Sequence, residues 1–373
     1  MMNPRKLSAA TRSDLCGQCH GVSRRDFSRQ SESNFLTMGC GFRPGNSLVD
    51  SDSLILVKAD PESRASEEFK VWDGPQNRMA GFSWPDGEVR VSGREFNGLV
   101  ESPCYQRGEL GCVSCHSMHE KNETRRDDWR DDQLKPEMHG NRACTQCHSD
   151  VEKHGPAHTH HLHGSPGTEC LNCHMPHTVY GLLKTIRSHR ISSPSASVSV
   201  NTGRPNACNL CHLDKTLEWT ADHLSDWFGQ AVPELSANQR TISAALLDLL
   251  SGDAAQRAIQ ASAFGSDQAQ KVSGTDWMPP ALMIGIGDPY DAVRLISERS
   301  LRTIPEWSQF EVDVIGPPEI RAGIIGAAMG RLEKTLTGVP RPAVLFDENP
   351  RFNTNGAVEL IQRRENRDVM LLE

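Results

Sequence analysis

The sequence predicts a mainly α-helical fold with much irregular loop, divided into two chemically different halves. All twelve cysteines precede residue 212, and the last of the fifteen histidines is His223. The first half is rich in Gly, Pro and charged residues between short apolar runs, which is typical of loops. From residue 213 onward, apolar residues recur at helical spacing. The two halves are therefore expected to fold by different means.

Length and net charge limit the classes of protein to which this chain can belong. A chain of 373 residues has room for about two domains. The net charge of −8 argues against a general nucleic-acid binder, which needs a basic surface. No run of 18 apolar residues occurs, so we predict no membrane-spanning helix in this chain.

A pentapeptide of the form C-x-x-C-H occurs five times. The copies, called motifs 1 to 5, are CGQCH at 16–20, CVSCH at 112–116, CTQCH at 144–148, CLNCH at 170–174 and CNLCH at 208–212. Chance alone would give about 0.015 such matches for this composition. This is the pattern of c-type haem attachment, in which two thiols on one short turn bond to the haem and the next histidine ligates its iron.

The motifs predict five covalently attached haem c groups. The thioether positions are Cys16, Cys19, Cys112, Cys115, Cys144, Cys147, Cys170, Cys173, Cys208 and Cys211. The proximal iron ligands are His20, His116, His148, His174 and His212. Zinc ribbons and disulfide frameworks also use cysteine pairs, but neither requires a histidine directly after each pair.

Ten further histidines compete for the five sixth positions on iron. A second histidine makes the iron low-spin and suits electron transfer, whereas an open position permits substrate binding. His119 and His177 each follow a motif histidine by three residues and can reach a neighbouring haem. Four more crowd a predicted loop before motif 4, of which at most two are expected to be ligands: His158, His160, His161 and His163.

The other histidines differ in their surroundings. His189 lies between Arg187 and Arg190, whose charges suit haem propionates or an oxyanion. His139 and His154 are weaker ligand candidates. His223 lies in an amphipathic helix, where a surface or core histidine is the better interpretation.

Two cysteines, Cys40 and Cys104, lie outside the motifs. In an oxidising compartment, two leftover thiols most simply form a disulfide bond. The alternative is a thiol placed beside a haem as a ligand. The sequence leaves both interpretations open.

The pattern along the chain divides it into three parts. Residues 1–215 form the predicted haem domain, with a loop-rich insertion at about 34–103, a charged run at 120–137 and a flexible link at 192–203. Residues 216–335 read as a helix ending near Gly229 followed by two helix pairs, a HEAT-like stack or a plain bundle. Residues 336–373 form a tail with one late helix.

Several segments together resemble a bacterial family. They are SPCYQRGELGCVSCHSMH, ACTQCH, HTHH, CLNCHMPHTVYG, RSHRI and RPNACNLCHLDKTLEW. In this order they are similar to multihaem c-type cytochromes that place C-x-x-C-H sites ahead of a HEAT or tetratricopeptide segment. CHMP is similar to an element of ammonia-forming nitrite reductases, but their C-x-x-C-K site is absent here.

The resemblance ranks the distal ligands and sets the location. It implies that His119, His158, His161 and His189 come first, and that Cys104 has a role beyond pairing. It implies a periplasmic or extracellular protein, because haem is attached after export. MMNPRKLSAA lacks the apolar segment of a signal peptide. We therefore expect that the chain is a fragment lacking the family's N-terminal part.

Three functions follow as expectations. The first is electron transfer through mostly bis-histidine haems to redox partner proteins, such as other cytochromes or a membrane electron-transfer complex. The second is a haem-based oxidoreductase acting on a small nitrogen or sulfur compound at one open-coordination haem. The third gives the helical half a docking role for a redox partner.

Overall fold

The computed structural model describes residues 6–22, 36, 42–48, 83–91, 93–117, 133–335, 340–347 and 351–366. Over these ranges the fold is mainly helical with much loop and one small sheet, which confirms the predicted fold class. Cys40, His119, most of the predicted insertion and most of the charged run lie outside the described residues.

The first half contains short helices separated by turns. They are α1 (Ala9–His20), α2 (Glu95–Glu101), α3 (Pro103–Arg107), α4 (Cys112–Cys115), α5 (Arg142–Thr145), α6 (Ser149–Thr159) and α7 (Cys170–His174). A two-stranded antiparallel hairpin follows, formed by β1 (Val179–Gly181) and β2 (Lys184–Ile186). It packs against the second half of the molecule.

The helices from residue 196 onward follow one another closely along the chain. They are α8 (Ala196–Thr202), α9 (Leu217–Phe228), α10 (Ala237–Thr241), α11 (Ala244–Ser251), α12 (Ala254–Phe264), α13 (Asp267–Ser273), α14 (Met278–Ile286), α15 (Asp291–Arg302), α16 (Pro318–Thr335) and α17 (Thr354–Gln362). The predicted helix pairs are confirmed as α11 with α12 and α14 with α15. Gly229 ends α9 in the left-handed conformation, as predicted.

Two predicted loops are wrong in part. The flexible link at 192–203 contains α8, because Ser195 caps its first turn and Gly203, with φ 73°, ends it. The segment before motif 4 is helical through Pro156 and becomes irregular only at His160. One proline removes one backbone donor, and the rest of α6 retains its hydrogen bonds.

A single large apolar cluster fills the helical stack. Leu246, Ile259, Met283 and Val293 are fully buried within it. Trp84, Tyr180 and Leu213 of the first half belong to the same cluster. The core therefore crosses the predicted boundary at residue 215, and both that boundary and the HEAT-like interpretation stay predictions. None of the helices in the described ranges has the length and apolar character needed to span a membrane.

Candidate functional site

The backbone gives the C-x-x-C-H motifs a common local shape. In motifs 2, 3 and 5, the amide of the histidine donates to the carbonyl of the first cysteine, at 2.9, 2.9 and 2.8 Å. Motif 4 forms α7, and motif 1 lies at the end of α1. One helical turn therefore brings the two thiols together and places the histidine just beyond them.

Thiols of successive motifs lie close to one another. Four pairs of thiols are within electrostatic range of each other: Cys16 with Cys112, Cys144 with Cys170, Cys115 with Cys147, and Cys173 with Cys208. Each pair joins neighbouring motifs. The motifs therefore follow one another in space in the order of the sequence.

In three places a motif histidine faces one of the predicted distal histidines. The ring centres are 6.2 Å apart for His116 and His189, 6.1 Å for His174 and His158, and 6.1 Å for His212 and His161. The interplanar angles are 23°, 8° and 37°. Two stacked rings in direct contact would be nearer together, so each pair encloses a gap.

The gap fits an iron atom held between two imidazoles. An imidazole nitrogen binds a metal ion at about 2 Å, and the ring centre lies about 1 Å further, so two coaxial ligands have ring centres about 6 Å apart. Burial lowers the pKa of His174, His189 and His212. The neutral ring that this favours is the form that ligates metals.

The second ring nitrogen is occupied in several of these histidines. The Nδ1–H of His174 donates to the Ser192 carbonyl at 3.1 Å, that of His189 to the Arg187 carbonyl at 3.1 Å, and that of His161 to the Thr159 carbonyl at 2.5 Å. Such bonds fix the tautomer and leave Nε2 as the ligating atom. The geometry of these rings therefore suits axial ligation.

His20 of motif 1 is oriented by a carboxylate. Its Nδ1–H donates to Glu95 Oε2 at 3.1 Å, and this bond raises the pKa of His20. Burial raises the pKa of the Glu95 carboxyl, but the hydrogen bond from His20 and the nearby His189 ring outweigh burial and lower that pKa to about 2. One ionised carboxylate thus lies between the histidines of two neighbouring sites.

Two motif histidines have no such facing ring among the described residues. His20 and His148 face no second histidine ring there. His177 is exposed beside Arg187 and bonds the Thr185 backbone. His119 lies outside the described residues, so its predicted role is untested.

The arginines on either side of His189 are bonded within the protein. Arg187 donates to the Leu171 and Met175 carbonyls and to Asn172. Arg190 forms ion pairs with Asp86 and Glu101 at 3.2 and 3.5 Å. Both guanidinium groups thus already have partners within the protein. Haem propionates or an oxyanion, the predicted partners, would have to compete with these bonds.

The leftover cysteines remain a prediction. Cys40 lies outside the described residues, which leaves the predicted Cys40–Cys104 disulfide untested. Cys104 is unpaired with any described cysteine and lies within electrostatic range of Cys144 in motif 3. The alternative of a thiol beside a haem therefore stays open.

Two glycines that lie against the segments of proposed distal ligands were not predicted from the sequence. A Cβ on Gly167 would lie 2.1 Å from Cδ2 of His161, and a Cβ on Gly98 would lie 3.2 Å from the carbonyl carbon of His189. A Cβ on Gly167 would force the His161 ring to move, whereas a Cβ on Gly98 would make a tight contact with the backbone beside His189. The sequence signal for Gly167 is only its place three residues before motif 4.

Helix α9 surrounds two of the ring pairs with aromatic side chains. Trp219 lies 4.9 Å from the ring of His212, and Phe228 lies 6.2 Å from that of His158. Between them, His223 packs on Trp219 at 4.2 Å and Trp227 on His223 at 4.9 Å. This agrees with the interpretation of His223 as a packed histidine.

Comparison with known proteins supports the same chemistry. Residues 157–270 match cytochrome c552, a c-type cytochrome family. The matched segment contains motifs 4 and 5 together with His158, His161 and His189. The match implies covalently bound haem c. No curated protein and no solved structure matches the chain.

Proposed function

We propose that this protein is a multihaem c-type cytochrome that transfers electrons through five covalently bound, mostly bis-histidine haems. The observation that carries the proposal is the set of three histidine pairs with ring centres 6.1 to 6.2 Å apart. The match of residues 157–270 to cytochrome c552 supports a haem-binding, electron-transferring protein.

Each class of residue has a defined part in the proposal. The motif thiols anchor the haems, and the motif histidines ligate iron on one side. His189, His158 and His161 are the proposed second ligands for motifs 2, 4 and 5. His119 and His177 stay candidates for the other two. Bound haem supplies a one-electron couple, which two imidazoles hold in a six-coordinate, low-spin state.

The proposed path of electrons follows the chain. Because the thiols of neighbouring motifs are within electrostatic range of each other, the haems they anchor would also be neighbours. The path would run from motif 1 to motif 5 or in the reverse direction. Its two ends would then lie at motif 1 and at motif 5, beside α9.

A second candidate function is a haem-based oxidoreductase acting on a small nitrogen or sulfur compound. It is favoured by His20 and His148, which face no second histidine within the described residues. An open iron at motif 1 or 3 would show a high-spin signal that shifts on addition of nitrite or hydroxylamine. A fully low-spin spectrum that neither compound changes would remove this candidate.

The proposed setting is outside the cytoplasm, in the periplasm or beyond, with redox proteins as partners. Other cytochromes or a membrane electron-transfer complex are the expected donors and acceptors. The helical stack is the proposed docking surface, and its test uses Ile315 and Ile320, which are 79% and 61% exposed. Changing both to Glu should weaken capture of such a partner and leave the haem spectrum unchanged.

The central test is the haem content of the purified chain. The chain is exported in a bacterial host that attaches c-type haem, and haem per chain is measured by intact mass and by visible absorbance. We expect five haems, with low-spin iron dominating the electron paramagnetic resonance spectrum. A colourless protein, or one that binds zinc instead, would overturn the proposed function.

A further inference from the structure

Two proposed distal ligands lie three residues apart in the chain yet face different motif histidines. His158 faces His174 of motif 4, and His161 faces His212 of motif 5. On a continuous helix, residues at i and i+3 share one face, so both rings would point to the same neighbour. The helix must therefore end between them.

His160 is where the chain changes direction. It ends α6 in the left-handed conformation, with φ 55° and ψ 27°, and its amide donates to the Pro156 carbonyl at 2.8 Å. The left-handed conformation is disfavoured for a residue other than glycine, so surrounding contacts are needed to hold it.

Trp227 of α9 supplies that contact. Its ring lies 4.5 Å from the His160 ring at an interplanar angle of 4°, a parallel stack. Phe228 adds an edge contact to His160 at 5.5 Å. Because the same helix also packs Trp219 on His212 and Phe228 on His158, α9 contacts both the turn and the two sites it serves.

We infer that His160 is a positioning residue whose stack on Trp227 divides His158 and His161 between two haems. This inference rests on the proposed function. It assigns the cluster of histidines before motif 4 two different tasks: two members ligate iron, and one sets the direction of the chain between them. His163, exposed in the same loop, has no such contact in the described part of the chain and serves as the control.

The test compares His160→Asn and Trp227→Leu with His163→Asn. Asparagine tolerates the left-handed conformation, so His160→Asn removes the stack while sparing the backbone. We expect five haems in every variant, but in the first two variants one or two irons become high-spin and bind carbon monoxide when reduced. His163→Asn should match the parent protein. Trp227→Phe, which keeps an aromatic face, should restore most of the low-spin signal.

The outcomes separate the two proposals. A His160→Asn protein with the low-spin spectrum of the parent and no carbon monoxide binding would overturn the positioning role and leave the haem assignment intact. A parent protein without haem would overturn the proposed function itself. If His160→Asn is not recovered, the two Trp227 variants test the positioning role. Trp227→Leu should then lose more low-spin iron than Trp227→Phe, and equal spectra for the two would overturn the role.

Discussion

The two halves of the molecule differ in what fills their interior. In the helical stack, Ala255, Ala258 and Ala261 of α12 are fully buried against neighbouring helices, and apolar side chains form most of the interior. In the first half, the facing side chains are histidines separated by gaps of metal-ligand size. The first half is therefore expected to need its haem to fold, whereas the interior of the second half is filled by protein side chains, including Trp84 and Tyr180 from the first half.

The strongest test of this contrast removes one haem. Cys170→Ala combined with Cys173→Ala should yield a chain with four haems, and the pocket between His174 and His158 should lose its packing. The expected result is one haem less by intact mass, together with a lower unfolding temperature for the Soret signal. Cys104→Ala is the control and should keep five haems. A double variant that still carries five haems would contradict the assignment of motif 4.

The second prediction concerns the helical half. Asp288 bonds Arg257 at 2.8 Å and Arg364 at 2.9 Å, and all three side chains are at least 94% buried. Asp288→Ala leaves two buried guanidinium groups without their carboxylate and should lower the free energy of unfolding by about 3 to 5 kcal/mol. Urea denaturation followed by far-ultraviolet circular dichroism measures this free energy of unfolding.

The matched control is Asp291→Ala. Asp291 pairs with Arg294 on the same stack, but its side chain is 74% exposed, so the change in the free energy of unfolding should stay below about 1 kcal/mol. The haem spectrum should be unchanged in both variants at low urea concentration. Loss of haem ligation in Asp288→Ala would show that the haem sites of the first half depend on the folding of the helical stack.

The third prediction concerns one methyl group added beside a proposed distal ligand. Gly167→Ala places a Cβ against the ring of His161 and should displace that ring from His212. We expect one iron to gain high-spin character without loss of haem. Gly140→Ala, where a Cβ meets no atom within 4 Å, should leave the spectrum unchanged. Equal spectra for the two variants would argue against His161 as a ligand.

The smallest expected effect is electrostatic. Burial, with Asp86 and Glu88 nearby, raises the pKa of Glu101 to about 7 despite the opposing charge of Arg190. A raised carboxyl pKa favours the protonated form, so stability is lost as pH rises from about 4.5 to about 7. Glu101→Gln should therefore be more stable than the parent at pH 8, by on the order of 1 kcal/mol, and nearly equal to it at pH 5.

Urea denaturation at the two pH values measures the difference for Glu101→Gln. Glu109→Gln, which removes an exposed charge from the same part of the chain, is the control. A Glu101→Gln protein that is less stable than the parent at pH 8 would mean that the ion pair with Arg190 outweighs burial.

Features that depend on residues close together in the chain could be predicted from the sequence, and features that depend on distant residues could not. The C-x-x-C-H motifs and the Gly229 helix end are local patterns, and both were readable from a few neighbouring letters. His158, His161 and His189 were predicted as candidates, but their partners in space were not. Those pairings depend on contacts between distant segments, which spacing alone does not encode.

The failures have the same cause. Pro156 reads as a helix breaker, but the helix continues because a single missing donor is tolerated. Likewise, His160 is indistinguishable from its neighbours in sequence, and only its stack on Trp227, a residue far along the chain, separates it from the proposed ligands. The role of Glu95 beside His20 was hidden for the same reason.

The pairing of His116 with His189 has a consequence for biogenesis. In the proposed export of this chain, His174 and His158, which are near neighbours in sequence, could close around iron soon after both have crossed the membrane. His116 would wait until motifs 3 and 4 have also been delivered, since its partner follows them. Among the three sites with a paired histidine, the porphyrin of motif 2 would thus spend the longest time exposed on one side, and would be the one most open to stray ligands or oxidants before the polypeptide is complete.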